Sequence, residues 1–397
     1  MARSGRESHG ETRGSQRTAV RIASIEERES LRNPSSAGAR VSLECAARAE
    51  VSVHPFAPPL MRPAFRPQRV LLTGASGTIG ARIGPALLAA GFPLRVLLHR
   101  RRPSWLDAAA GVEERRGDVL APASLRGIAD GCDAVIHAAA RPAFGVLDRD
   151  RQRRIHVEGT DAMVQEASSA GCRLFALVGY TGTIQERTGE APVDEETPPE
   201  GRYESAYVRM MMEAEVLTLE ANRPGEFRTM VASPGVLLGP GLPSLLTGLT
   251  RLYLRQELPY RFLDDVWLAV SGSRDVGAGI VAAMEHGRGG RRYFLTGRSL
   301  RLGDYYALLR ERSGVALPRR RIPDLLVEEL GLLAPVLPPQ SFLRQVVLPR
   351  ELVLHLRRLA PLDNERTRGE LGFTPEPLAD LVDALVKEAG LRPRGGG

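Results

Sequence analysis

The sequence predicts an α/β fold, a doubly wound parallel sheet followed by a smaller, mostly helical C-terminal part. Three observations predict it. Short apolar runs alternate with stretches of helical period, a glycine triplet lies at the first junction between the two, and the last hundred or so residues are helical in spacing and punctuated by proline. Strand and helix in repeated alternation give a parallel sheet with helices on both faces.

The first run, "RVLLTG" from Arg69, is short, apolar and ends in glycine, as a buried strand does. "TIGARIGPALLAAGF" follows with helical spacing, and Gly91 is placed to end it. "LRVLLHR" is a second strand, "AVIHAAA" (134–140) a third and "RLFALVG" (173–179) a fourth, with helices expected over 122–129 and 156–171. The stretch 184–202, with Pro192, Pro198, Pro199 and several acids, reads as a loop. "YESAYVRMMMEAEVL" lies in a helix expected over 204–221, where Tyr207, Met211 and Glu215 share one face. "EFRTMVASPGVLLGPG" reads as strand then turn, "RDVGAGIVAAMEHG" as a helix and "RRYFLTG" as a late strand. The remainder ends in the helical "PLADLVDALVKEAG", and there is no internal repeat.

Residues 1–66 are rich in Arg, Ser, Pro and Gly, lack an apolar period and read as a disordered extension, with Met61 as an alternative start. Glu7, Glu11, Glu26, Glu27 and Glu29 argue against a transit peptide. The chain carries +7, but 1–66 hold 11 Arg and 7 Glu, so +4 of that charge belongs to the extension and +3 to the rest. A bland basic tail fits better than a nucleic-acid site, since no zinc-knuckle spacing or basic helix with interleaved aromatics occurs. No apolar run reaches the roughly 18–20 residues of a membrane span, so no integral membrane contact is expected. Cys45, Cys132 and Cys172 form neither a disulfide framework nor a metal site, which points to a reducing, cytoplasmic setting. Lys387 is the only lysine.

The glycine triplet is Gly74, Gly77 and Gly80 in "TGASGTIG". The first permits a tight turn, the second lets backbone approach a pyrophosphate, and the third lets helix and strand pack closely. Amides at the helix start then face the anion. At a strand–helix junction this predicts a Rossmann-type dinucleotide site formed by Gly74, Ala75, Ser76, Gly77, Thr78, Ile79 and Gly80, within a domain over 67–240. Residues 241–397 are expected to be mainly substrate-binding, with 266–297 returning to the sheet domain. No acid ends the second strand to take the ribose hydroxyls of NAD. Arg100, Arg101 and Arg102 suit a 2′-phosphate instead. NADP is therefore favoured, with NAD the alternative; a solvated basic turn is the plain structural reading.

With these motifs the chain resembles the extended short-chain dehydrogenase/reductase family, the NAD-dependent epimerase and dehydratase group, over about 69–391. "TGASGTIG" resembles its cofactor fingerprint. "GDV" (117–119) resembles its adenine-side motif, which implies a role for Asp118 and Val119. "VIHAAA" resembles the strand beside the ribose and phosphates, which implies Ala138, Ala139 and Ala140. "IHVEGT" resembles the start of the next long helix. "SPGVLLGPG" resembles the turn near nicotinamide and substrate, which implies Pro234, Gly235 and Val236. "DNERTRGELGFTPEPLADLV" resembles the family's C-terminal end.

The resemblance makes Tyr207 the catalytic tyrosine, also beside the cofactor, because Ala214 and Glu215 fall on the family's trailing Ala-Glu. Tyr203 is the competing register. The family's lysine, four residues on, is Met211; its Ser or Thr after the fifth strand falls at Tyr180 or Thr181, with Thr183 nearby; its Asn is His156. A free tyrosine has a pKa of about 10, poor for a base near neutrality, and Met211 cannot lower it. Two readings stay open. One is an oxidoreductase in which Tyr207 is an acid and Thr181 orients the substrate; a reductase fits this better than an epimerase. The other is a catalytically inactive dinucleotide-binding sensor or structural subunit. "LPSLLTGLTRLYL" and "DLLVEELGLLAPVLPP" suggest a small apolar, steroid-like substrate, although a helical lid with its own core fits equally. Oligomeric state is left open.

Overall fold

The computed structural model describes residues 65–141, 144–145, 148–187, 191–200, 202–337 and 347–394. The expected extension over 1–66 lies outside these residues up to position 64. Phe65 donates its amide to the Glu285 carbonyl at 3.0 Å. Its ring sits under the guanidinium groups of Arg173 and Arg228, at 5.3 and 5.0 Å.

The centre is a seven-stranded parallel sheet built from β1 (Val70–Thr73), β2 (Leu94–Leu98), β3 (Glu113–Arg116), β4 (Ala134–His137), β5 (Leu174–Val178), β6 (Arg228–Pro234) and, after three short strands, β10 (Arg291–Leu295). The spatial order is β10-β6-β5-β4-β1-β2-β3. The direction of crossover reverses between β1 and β4, the switch point at which open α/β sheets bind ligands. Every residue of β1, β2, β4 and β5 is buried, which is why these strands read as continuous apolar runs. One apolar layer, around Val70, Leu72, Ile83 and Ile280, covers one face. The layer around Leu71, Val135, Met163 and Phe175 covers the other.

Two sequence expectations need correction. β3 was not expected, because "EERR" has no apolar period. It is an edge strand held by backbone pairing to β2 and by Arg95, which is buried, bonds Glu113 at 2.9 Å and also reaches the Ile128 and Asp130 carbonyls. The helix expected over 122–129 forms only one tight turn, Pro122–Leu125. Gly127 then takes φ +71°, a left-handed conformation that stops a helix.

The expected helix over 156–171 starts earlier, where the Asp148 side chain caps the Arg151 amide at 3.0 Å. It contains one wide turn of π type, Arg154–Glu158, before continuing as Gly159–Ser169. After β6 the chain forms β7 (Val236–Leu238), β8 (Trp267–Leu268) and β9 (Val270–Gly272), and later β11 (Leu300–Arg301). β7 pairs with β9 and β8 with β11. A separate apolar cluster, including Leu246, Phe262, Tyr305, Leu356 and Leu385, fills the space between the helices Leu245–Leu254, Leu302–Ser313, Arg350–Leu356 and Leu378–Glu388. Among the described residues no helix is long and apolar enough to cross a membrane.

Candidate active site

The glycine turn has the geometry its residues require. Gly74 sits at φ +69°, and a Cβ on it would lie 2.3 Å from the Ala138 carbonyl oxygen. The Gly77 amide closes the turn on the Gly74 carbonyl at 2.9 Å. A Cβ on Gly80 would lie 2.1 Å from that same oxygen. Ala75 is buried, while Ser76 and Gly77 are exposed at the start of the helix Gly80–Ala89. The Trp105 indole donates to the Ala75 carbonyl at 3.1 Å and pins the loop from above. Of the cofactor residues expected from sequence, the 74–80 turn and 138–140 therefore meet at the carboxyl ends of β1 and β4.

The three arginines after β2 are not equivalent. Arg102 is bound to Glu114, at 2.9 Å, and to Asp107. Arg100 and Arg101 are exposed, and among the described residues neither has a carboxylate partner. Asp118 lies beside His99, with Oδ2 and Nε2 at 3.1 Å. Its Oδ1 accepts the Leu120 amide at 2.9 Å.

The tyrosine helix is Ala206–Glu220. Ser205 caps it by accepting from the Val208 amide at 3.3 Å. Glu351, from the C-terminal part, accepts from the Ser205 hydroxyl at 2.7 Å, the Ala206 amide at 2.8 Å and the Gly145 amide at 2.7 Å. A carboxylate at a helix N-terminus is favoured by the helix dipole. Tyr207, Met211 and Glu215 all face inward and are buried. Glu215 pairs with Arg292 at 3.1 Å and accepts from the Thr183 hydroxyl at 2.9 Å. Burial, offset by Arg292, pushes its carboxyl up. Arg209 is exposed on the far side, as the spacing implied.

Tyr207 lies among rings: Phe144 at 5.2 Å, His156 at 5.3 Å and Tyr180 at 6.4 Å. Among the described residues its hydroxyl has no hydrogen-bond partner. Burial, then the charge of Glu215, pushes the phenol above the ordinary tyrosine range. His156 stands in the π-type turn, with Nε2 3.2 Å from the Arg141 carbonyl.

His355 and Glu186 were not anticipated from sequence. Tyr180, just past β5, has its hydroxyl 3.0 Å from Nε2 of His355. Nδ1 of His355 is bonded to Glu186. These residues are 175 and 169 positions apart in sequence, too far for any spacing to signal the contact. Thr181 is buried, and its amide donates to the Pro234 carbonyl at 3.2 Å. Tyr180 and not Thr181 is the residue whose ring neighbours Tyr207.

A cavity of about 280 Å³ lies within the C-terminal apolar cluster. Its lining is almost wholly apolar and includes Val236, Leu246, Leu249, Phe262, Leu302 and Leu356. Val236 follows the turn after β6, and Leu356 adjoins His355. The cavity is thus bordered by the segment that follows β6 and by the helix Arg350–Leu356.

The buried histidines give the site a pH signature. Burial, then the charge of His156, pushes His137 down to about 3; its Nδ1 is 2.8 Å from the Thr73 hydroxyl. Burial also lowers His156, against the Arg141 carbonyl. An unfolded histidine titrates near about 6.5, so unfolding takes up protons below that pH. The contribution is whole above about 6.5 and is lost as pH falls toward the folded values, at most about 1.4 kcal/mol per pH unit per histidine. Urea melts at successive pH values should therefore show a shallower acid loss in His137→Gln than in the wild type. Comparing the two cancels the opposite contribution of Glu195, Glu215 and Asp275, which burial pushes up.

Residues 71–269 match the 3-beta hydroxysteroid dehydrogenase/isomerase family. The sterol demethylase protein B of Methylococcus capsulatus is 31% identical over 80% of this chain and 97% of its own. The 4-hydroxy-2-methyl-3-oxo-4-farnesyl-3,4-dihydroquinoline-1-oxide ketoreductase of Stigmatella aurantiaca is 28% identical over 77% and 91%. A solved short-chain dehydrogenase/reductase superfamily protein of Agrobacterium tumefaciens with bound NAD superposes with a TM-score of 0.60 at 22% identity, over 81% of this chain and 95% of its own. With its parallel sheet and glycine cradle, the chain belongs to the 3-beta hydroxysteroid dehydrogenase/isomerase family, within the extended short-chain dehydrogenases/reductases, a family of NAD(P)-dependent oxidoreductases.

Proposed function

We propose that this protein is an NADP-dependent reductase of an apolar ketone or aldehyde. The observation that carries the reading is a buried Tyr207 whose phenol is pushed up by burial and whose hydroxyl has no cationic hydrogen-bond partner among the described residues, in a chain that also holds an apolar cavity lined by Val236 and Leu356. Such a phenol can give a proton or hydrogen bond to a developing alkoxide and is a poor base for the oxidation with which an epimerase must begin. The bound cofactor would supply the hydride. The backbone of the Gly74–Gly80 turn would hold its pyrophosphate, and the steric fit of Gly74 and Gly80 to neighbouring backbone supports this. Asp118 and Val119 would lie at the adenine, Ala138, Ala139 and Ala140 along the ribose and phosphates, and Pro234, Gly235 and Val236 near the nicotinamide. Tyr207 holds the substrate oxygen, Thr181 lines its approach, and the apolar cavity takes the hydrocarbon body. The two relatives described above bear names with a large apolar skeleton, a sterol in one and a farnesyl chain in the other. NADPH oxidation with a panel of apolar ketones and aldehydes tests the reading. No turnover with any of them, together with a cofactor-induced rise in melting temperature, would favour a dinucleotide-binding sensor instead.

The preference for NADP rests on Arg100 and Arg101. Replacing both by Ala should weaken NADPH binding about 10- to 100-fold, as expected for the loss of roughly 1.5–3 kcal/mol of charge-assisted hydrogen bonding. NADH binding should not change. Arg102→Ala should do much less, because Arg102 is already paired with Glu114 and Asp107. Cofactor titrations followed by nicotinamide fluorescence measure this. Tighter binding of NADH than NADPH by the wild type would end the assignment.

A further inference from the structure

The hydrogen-bonded chain Tyr180–His355–Glu186 has no part in the reading above. His355 and Glu186 are each 0% exposed, so two ionisable groups have been taken wholly out of water. That is costly unless they are paired and fully hydrogen-bonded, and they are. One Glu186 oxygen is bonded to Nδ1 of His355, and the other accepts the Glu204 amide. The carboxylate fixes the imidazole so that Nε2 faces the Tyr180 hydroxyl at 3.0 Å. A carboxylate that orients a histidine toward a hydroxyl is an arrangement for moving a proton.

The surroundings suit that task. A Cβ on Gly182 would meet Cε1 of Tyr180 at 2.2 Å and Cε1 of His355 at 2.9 Å, so only glycine leaves room for both rings. Phe144 stacks on His355 at 5.5 Å and meets Tyr207 edge-on at 5.2 Å, so it packs between the two. The two phenols therefore pack in one apolar cluster, and among the described residues only Tyr180 has a proton-carrying group hydrogen-bonded to its hydroxyl. On the Tyr207 side the corresponding place is held by Met211, which cannot carry a proton.

We propose that Tyr180, His355 and Glu186 form a proton relay that delivers the proton to the substrate oxygen during carbonyl reduction, while Tyr207 holds that oxygen; this rests on the reductase reading. The relay acts from the form in which both ring nitrogens of His355 carry protons. As hydride from the reduced nicotinamide forms the new C–H bond, the C=O π pair moves onto oxygen. That oxygen takes the Tyr180 proton, and Tyr180 takes the proton on Nε2 of His355. The carbonyl becomes an alcohol, and His355 is left neutral beside the Glu186 carboxylate. One proton from water recharges the pair after the product leaves. Tyr180 is the catalytic member; His355 and Glu186 are relay and positioning residues.

The test uses the full-length chain, NADPH and the ketone that the wild type turns over best. Tyr180→Phe removes one oxygen and keeps the ring. It should lower kcat about 100-fold or more, the usual scale of general acid catalysis, with KM unchanged. In mixtures of H2O and D2O the wild-type kcat should follow a curved proton inventory, because two protons move together. His355→Gln should retain slow turnover with a straight one. A tie between helix and sheet would alter stability or KM without straightening the inventory. In the cofactor-free protein, the His355 Nδ1 proton should give a far-downfield ¹H resonance that is absent from Glu186→Gln. A persistent rise in melting temperature with NADPH shows that a variant is folded; if His355→Gln fails this check, Tyr180→Phe decides alone. Wild-type kcat in Tyr180→Phe, a straight inventory in the wild type, or no downfield resonance overturns the relay. If Tyr207→Phe is inactive while Tyr180→Phe is not, the reductase reading stands and the relay is refuted. If the wild type reduces nothing, both fall.

Discussion

Tyr207→Phe is expected to lower kcat for carbonyl reduction by roughly 10²–10³-fold, the scale seen when one hydrogen-bond donor to a developing oxyanion is removed. NADPH affinity should not change. The substitution deletes one oxygen from a ring packed against Phe144, His156 and Tyr180. Among the described residues that oxygen has no partner, so no internal hydrogen bond is lost. The melting temperature should therefore hold or rise slightly, which separates loss of chemistry from loss of fold. Steady-state kinetics and the NADPH-induced shift in melting temperature measure the two effects. Unchanged kcat would move the chemistry away from this helix, with Thr181 and His156 the next residues to replace. Met211→Lys would restore the family's pattern of charge, but position 211 is only 3% exposed. An ammonium there would lose its water, and Glu215, one turn on along the same face, is already bonded to Arg292 and Thr183. That variant should be markedly destabilised.

Different parts of this protein were legible in the sequence to different degrees, for physical reasons. β1, β2, β4 and β5 are buried on both faces, so each leaves a continuous apolar run. The turn at Gly74 was legible because its conformation excludes other residues. Tyr207, Met211 and Glu215 were placed on one face because helical spacing is local, and that face is buried. β3 left no trace: an edge strand whose last three residues are exposed has no apolar period, and backbone pairing and Arg95 hold it. The role of Arg102 was unreadable for a similar reason, since its partners Asp107 and Glu114 follow on separate elements. His355 lay furthest from sight. Its neighbours Tyr180, Glu186 and Phe144 come from chain segments brought together only by the complete fold. One signal was available, a tyrosine where the family has Ser or Thr. A larger phenol at that point needs space and a partner, and Gly182 and His355 supply them.

The cofactor cradle predicts a graded series in which geometry, and not the mere presence of glycine, sets the outcome. A methyl on Gly80 would sit 2.1 Å from the Gly74 carbonyl oxygen and 2.9 Å from the Ala75 Cα. All the atoms it meets are backbone, which cannot swing aside as a side chain can. Gly80→Ala should therefore part the helix Gly80–Ala89 from β1, at the cost of an overpacked core, about 1–3 kcal/mol or more. Gly74→Ala adds to a similar clash with Ala138 the penalty of a left-handed backbone at φ +69°, about 1–2 kcal/mol. Both variants should melt well below the wild type and show no rise with NADPH. Gly77→Ala differs: its methyl would approach only the Gly74 oxygen, at 3.2 Å, a contact that a small shift relieves. Its fold and its cofactor-free melting temperature should be nearly those of the wild type. Gly77 is, however, the exposed glycine of the turn, where a ligand's pyrophosphate would press against the backbone. The wild type should gain about 2.7 kcal/mol at NADPH one hundred times above its Kd, and Gly77→Ala should lose most of that gain. A Gly77→Ala protein that keeps the full shift would mean that this glycine serves the turn and not the ligand, and that the pyrophosphate is held elsewhere.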